Sequence, residues 1–124
     1  SKYMLSFITE QFNIGLVEGV FRQRLLISCL KEALEKRGFF VRRSGDDLFV
    51  NDKKMSVSIA TKSLTSVLIH TGVNILSDGA PIPVSGLKSD LGIDDVKDFA
   101  LEVMKNYSEE IDDIVLASTK VRGV

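Results

Sequence analysis

At 124 residues and 44% hydrophobic content the chain can bury a core of its own as one folded unit. Its 16 basic and 17 acidic side chains leave a net charge of -1, too little to draw nucleic acid or an anionic membrane surface. One cysteine, Cys29, excludes an internal disulfide and a Cys-x-x-Cys zinc site, and the apolar runs fall far short of the roughly 20 residues that span a bilayer. These readings predict a cytoplasmic protein without nucleic-acid or membrane partners.

Residues 3–9 alternate apolar and polar side chains as a strand does, and Asn13 with Gly15 ends the pattern. The chain opens at Ser1 with this strand almost at once, which reads as a single domain over residues 1–124, part of a slightly longer protein with an N-terminal segment before it. Over residues 16–37 the apolar positions Leu16, Val20, Ile27, Leu30 and Leu34, flanked by Leu26 and Ala33, recur at helical spacing. Lys36, Arg37 and Gly38 then supply a cationic last turn and a glycine stop. Four strand-like runs follow, FFVRR, DDLFV, KKMSVSIAT and SVLIHTGVNIL, with links short enough to predict an antiparallel sheet. Residues 78–92, with Pro81 and Pro83, read as a structured loop. Asp94 and Asp95 open a second helix whose apolar face is Val96, Phe99, Val103, Met104 and Tyr107, with a break expected near Ser108.

Parity within the strands suggests a ligand platform. Met55, Val57 and Ile59 alternate with Lys54, Ser56, Ser58 and Ala60, while Val67, Ile69 and Val73 alternate with Leu68, His70, Gly72 and Asn74. Pairing of the two polar sets would build a face of Lys54, Ser56, Ser58, His70, Gly72 and Asn74, in which small side chains leave volume and a lysine offers charge to a phosphate or carboxylate. The same pattern also fits a half-exposed sheet with a wet face. His70, the one histidine, is chemically able to act as an acid or base, but no nucleophile motif accompanies it. Cys29 reads as a small core residue, Arg22 and Arg24 as helix-surface cations within reach of an anion, and Asp46, Asp47 and Asp52 as turn or hairpin carboxylates.

The segment RRSGDDLFVNDKKMSVSIATKSLTSVLIHTGVNIL resembles the heart of biotin and lipoate protein ligases. That family carries a Lys-Trp-Pro-Asn-Asp strand, a Lys-Leu-x-Gly-Ile strand and a Gly-Ile-Gly-Ile-Asn-Val strand. Asp47 matches the end of the first motif, Lys54 the lysine of the second, and Thr71, Gly72, Val73, Asn74 and Ile75 the third. Arg43, Ser44, Gly45 and Asp46 stand in the region of the Trp-Pro-Asn, Val57 replaces the glycine after the lysine, and the Gly-Arg-rich loop that precedes the first strand in the family is not in this chain. The sequence is also similar to an archaeal family of unknown function, domain of unknown function 366.

The resemblance implies an α+β, class II synthetase-like fold with a mainly antiparallel or mixed sheet and two long helices on one face. It further implies ATP-dependent formation of an acyl-adenylate, with Mg²⁺, from lipoate, octanoate or biotin, and transfer to a lysine of a carrier protein. Lys54 would be the catalytic residue, with Asp47, Ser56, Ser58, His70, Gly72 and Asn74 binding ligand and no protein-built metal site. The alternative is a non-catalytic module that binds a small ligand or self-associates, since an unpaired strand edge would let two copies form a homodimer.

Overall fold

A computed structural model describes residues 2–120. In chain order the elements are β1 (Met4–Phe12), α1 (Leu16–Lys36), β2 (Arg42–Ser44), β3 (Asp47–Val50), β4 (Lys53–Lys54), β5 (Ser56–Lys62), β6 (Ser66–Asn74) and α2 (Val96–Ser118). The fold is α+β, and both helices lie on the same face of the larger sheet.

The strands divide into two three-stranded antiparallel sheets, β1-β6-β5 and β2-β3-β4, rather than one. The run KKMSVSIAT is split between them. Lys53 and Lys54 pair back onto β3, whereas Ser56 starts the strand that pairs with β6. Met55 sits at the junction: its N–H donates to the Leu48 carbonyl (2.8 Å) and its own carbonyl accepts from Asn74 N (2.9 Å), which ties the two sheets together. Phe39 and Phe40 lie outside β2, because the chain is still leaving the helix cap there.

That cap follows from sequence. Gly38 adopts φ 94 and donates to the Glu35 carbonyl (2.9 Å), while Phe39 N reaches back to Leu34 O (3.2 Å), the paired bonds of a Schellman stop. At the start of α2 the Asp95 carboxylate accepts from Asp98 N at 2.8 Å. The helix then runs unbroken through Ser108 to Ser118, a stretch that contains neither glycine nor proline to interrupt it.

Leu26, Ile27, Leu30 and Leu34 of α1 are fully buried against Val67, Ile69 and Val73 of the central strand and against Phe99 and Val103 of α2. Each such burial contributes about 1.5–3 kcal/mol. Toward its N-terminus α1 buries Gly19 and Gln23, while Leu16, Val17 and Phe21 are exposed. The predicted stripe is therefore rotated in the first turns, where a glycine allows close approach to β6. At the far end Arg37 donates to Glu102 Oε2 (2.8 Å) and stacks over Phe99, latching α1 to α2. No helix among the described residues is long and apolar enough to cross a membrane.

Candidate functional site

Two tight hairpins bring the leading candidates together. Gly45 (φ 63) and Asp46 turn β2 into β3, and Asn51 and Asp52 (φ 54 and 60) turn β3 into β4. Asn51 and Asp52 give the positive φ at both central residues that a type I′ hairpin requires, whereas the first turn has it only at Gly45, the type II′ pattern. In the resulting register Lys54 lies opposite Phe49, which shares a face with Asp47 two residues earlier. The lysine side chain reaches diagonally across that face, so that Lys54 Nζ stands 3.2 Å from Asp47 Oδ1, each side chain 32% exposed.

The backbone of Lys54 is held from two directions. Its carbonyl accepts from Asn74 Nδ2 (3.1 Å) and from Ser85 N (3.0 Å), and the segment around Val84 pairs with it as a parallel bridge. Ser85 Oγ in turn donates to Val50 O (2.8 Å), and Leu87 N to Asn74 O (2.8 Å). The loop predicted from its prolines thus returns to flank β4, and Asn74 positions the lysine through its main chain.

Beside this clamp lies a cleft of about 650 Å³, walled by Met4, Val57 and the loop around Pro81, Ile82 and Val84, with Lys54 and Asn74 at its polar part. The size suits a small organic ligand. Gly72 is directly opposite Val57, and a Cβ there would come within 2.6 Å of Met4 Cε and 3.6 Å of a Val57 methyl. Met4 and Val57 therefore close over the glycine and form the floor.

The remaining candidates fall elsewhere. Ser56 pairs with Val73 and Ser58 with Thr71, so both serines share the helix-facing side of the sheet instead of the Gly72 side. Ser58 Oγ accepts from the buried Gln23 Nε2 (2.9 Å) and bonds Thr71 Oγ1 (2.7 Å), and Gln23 also donates to Asp46 Oδ2 (3.2 Å). Ser56 Oγ is buried with no hydrogen-bond partner, although the residue borders the cleft. The small residues of β5 make room for α1, not for a ligand, and the expected platform of serines with His70 is corrected accordingly. His70 does face the Gly72 side, but it is exposed between Ile8 and Ile59, 3.3 Å from Ser6 Oγ, away from the cleft. That outer face is more apolar than predicted, with Ile8, Phe12, Val57, Ile59 and Leu68 exposed on it.

The structure thus brings together Asp47, Lys54, Gly72 and Asn74, and sets Ser58 and His70 apart. It adds Met4, Val57 and the loop around Ile82, which strand parity alone could not assign. Among the described residues no group of three or more His, Cys, Asp or Glu side chains is placed to hold a metal. A second cleft, of about 590 Å³, lies between the helices beside Phe21, Arg22, Arg24, Arg43 and Ile114. Arg22 is already engaged there by Glu18 (2.7 Å) and by Gln11.

The chain matches the model of a domain of unknown function (DUF366) over residues 1–122. An uncharacterised protein of Methanocaldococcus jannaschii is 40% identical over 116 residues, which cover 92% of this chain and 52% of that protein, so the chain spans about half the length of this curated relative. Among solved structures, a protein of unknown function from Pyrococcus horikoshi superposes with a TM-score of 0.87 at 38% identity, covering 98% of this chain and 65% of that one. Biotin protein ligase from Aquifex aeolicus follows at TM-score 0.71 and 23% identity, covering 89% of this chain and 53% of that one. A bi-partite lipoate protein ligase from Thermoplasma acidophilum gives TM-score 0.67 at 12% identity, covering 88% and 51%. The last two likenesses establish the fold, which is that of biotin and lipoate ligase catalytic domains.

Proposed function

The chain belongs to the family of unknown function DUF366, and we propose that it carries the ligand site of an acyl-adenylate-forming ligase of the biotin or lipoate type. The observation that carries this reading is the meeting of Lys54 and Asn74 at one largely apolar cleft, with the lysine backbone clamped by Asn74 and its ammonium paired with Asp47.

In such a reaction a carboxylate oxygen of the acid attacks the α-phosphorus of ATP, and the bond to pyrophosphate breaks. The amine of a carrier-protein lysine then attacks the acyl carbon of the mixed anhydride, AMP leaves, and the amine loses a proton. Lys54 has three ammonium donors, of which Asp47 occupies one. The other donors are available to the acid carboxylate and to the phosphoryl oxygens on which charge accumulates, where a fixed cation lowers the barrier. Asn74 keeps that cation in place by fixing the main chain from which it extends. Asp47 directs the ammonium before the ligand arrives. Mg²⁺ entering with nucleotide phosphates would need only one or two protein carboxylates; Asp78, in the cleft lining, and Asp47, paired with Lys54, are the residues that would hold it.

Calorimetric titration with octanoyl-, lipoyl- and biotinyl-adenylate analogues tests the reading. Lys54→Ala is expected to weaken the best analogue about 10- to 150-fold, the range for loss of a charge-assisted contact. A partly exposed ion pair adds at most about 1 kcal/mol to stability, so the variant remains folded. Equal affinity of the wild type and Lys54→Ala would return the lysine to the solvated surface and leave a non-catalytic module on the same fold.

A further inference from the structure

We propose that Met4 and Val57 select the acyl group, and that the cleft takes an unbranched medium-length alkyl carboxylate in preference to a fused-ring urea such as biotin. This deepens the ligand-site reading above and rests on it.

The cleft separates its chemistry into two regions. Lys54 and Asn74 stand together at the clamp, whereas Met4, Val57, Leu76, Pro81, Ile82 and Val84 present aliphatic surface beyond it. A ligand that matches both regions has an anionic head and an apolar tail. The floor narrows the choice of tail. On a bare glycine strand a flat ring system could lie directly against the backbone. Here the position over Gly72 is taken: Met4 Cε lies 2.6 Å from where a Cβ would stand, and the Val57 methyl lies across from it. Val57 is β-branched and stiff, and it is 51% exposed on that face, so it stands up from the strand as a ridge.

A flexible, thin chain can run along such a ridge and against Met4, whose unbranched thioether adapts to it. A rigid bicycle cannot follow the ridge, and its urea N–H and C=O groups would lose water against aliphatic side chains, an unfavourable exchange unless each finds a partner. Asp78 and the Tyr3 side chain are the polar side chains of the lining outside the clamp, apart from the buried Ser56. Tyr3 immediately precedes β1 and Asp78 lies in the loop after β6, so both stand at the ends of strands and not on the surface that Met4 and Val57 form over Gly72.

Titration of this chain with hexanoate, octanoate, decanoate and biotin, together with the adenylate analogues, reads the inference directly. Affinity is expected to rise about fourfold per added methylene, from the burial of each CH₂, and octanoate is expected to bind at least about tenfold more tightly than biotin. Val57→Ala, at a half-exposed site that tolerates truncation, is expected to narrow that preference at least about threefold by lowering the ridge. Biotin binding as tightly as octanoate, or an affinity flat with chain length while the adenylate analogues still depend on Lys54, would overturn the alkyl preference and leave the ligand site standing. Absence of binding by every probe to a protein shown folded by circular dichroism would overturn both.

Discussion

Gly19→Ala inverts the usual effect of that substitution. In the interior of a helix, alanine in place of glycine ordinarily stabilises by about 1 kcal/mol, because glycine loses more backbone freedom on folding. Gly19 lies in α1 where the helix crosses β6, and an added Cβ would fall 2.4 Å from Val67 Cγ1, 3.0 Å from Val67 Cβ and 3.1 Å from Val67 Cγ2. Three atoms of one stiff, β-branched side chain stand in the way, and Val67 is fully buried in the central strand, so rotation offers no escape. Overpacking of this kind costs about 1–3 kcal/mol, and the sum with the propensity gain is a net destabilisation of about 1 kcal/mol. Urea unfolding followed by circular dichroism measures it. In a Val67→Ala background both methyls are gone and only the Cβ contact at 3.0 Å remains, so the same Gly19→Ala change is expected to lose most of its cost, a favourable coupling of about 1–2 kcal/mol between the sites. A wild-type background in which Gly19→Ala raises stability by its full propensity value would refute the close approach of α1 to β6.

Two other expectations concern titrating groups. Burial, with added repulsion from Glu32 and Glu110, pushes the Cys29 thiol up to about 11 from 9.0, which cuts its thiolate about a hundredfold near neutral pH. Alkylation by iodoacetamide at pH 8 is therefore expected to be at least that much slower in the native protein than in urea, and native labelling within tenfold of the unfolded rate would contradict the burial. The hydrogen bonds from Arg37 hold the Glu102 carboxyl below its ordinary 4.5, with Lys36 adding to the effect. A depressed carboxylate contributes stability that is present above the unfolded value and is lost as pH falls through the folded one. Glu102→Gln is expected to cost about 1 kcal/mol at pH 7 and progressively less as pH falls below 4.5, and a gap that does not shrink on acidification would place the effect elsewhere.

Most of the architecture was legible because local signals and tertiary packing agree. The apolar period of α1 from Leu26 onward, its Gly38 stop and the Asp95 cap each match what the sequence predicts, and so does the antiparallel order of the strands. The error came where two physical explanations share one pattern. Small residues at Ser56, Ser58 and Ala60 read as space for a ligand, yet a helix needs the same space. The discriminating signal was Gln23, a polar residue on the inward side of α1, where it donates to Ser58 and Asp46. The register also depends on the break at Met55, which hands the chain from one sheet to the other and reverses which neighbours Lys54 and Ser56 meet. Parity carried straight through that residue assigns the two to one face. The roles of Met4 and the loop near Ile82 arise from segments far apart in sequence, so no local pattern announces them.

The placement of Lys54 at this seam has a consequence for the chemistry proposed. A flexible lysine on an open strand loses side-chain freedom whenever it grips an anion, which weakens the grip. Here the main-chain part of that cost is met during folding, since Asn74, Ser85 and the neighbouring Met55 fix the strand on both sides. Asp47 restrains the ammonium as well, but at 3.2 Å and one-third exposed the pair is weak enough to rearrange when a ligand carboxylate arrives. A buried, tightly bonded partner would hold the lysine too firmly to share, and a fully exposed one would not direct it. The intermediate setting leaves an ammonium that is aimed and still able to transfer its hydrogen bonds from a protein carboxylate to an incoming one. This is the electrostatic demand that acyl activation makes on such a residue.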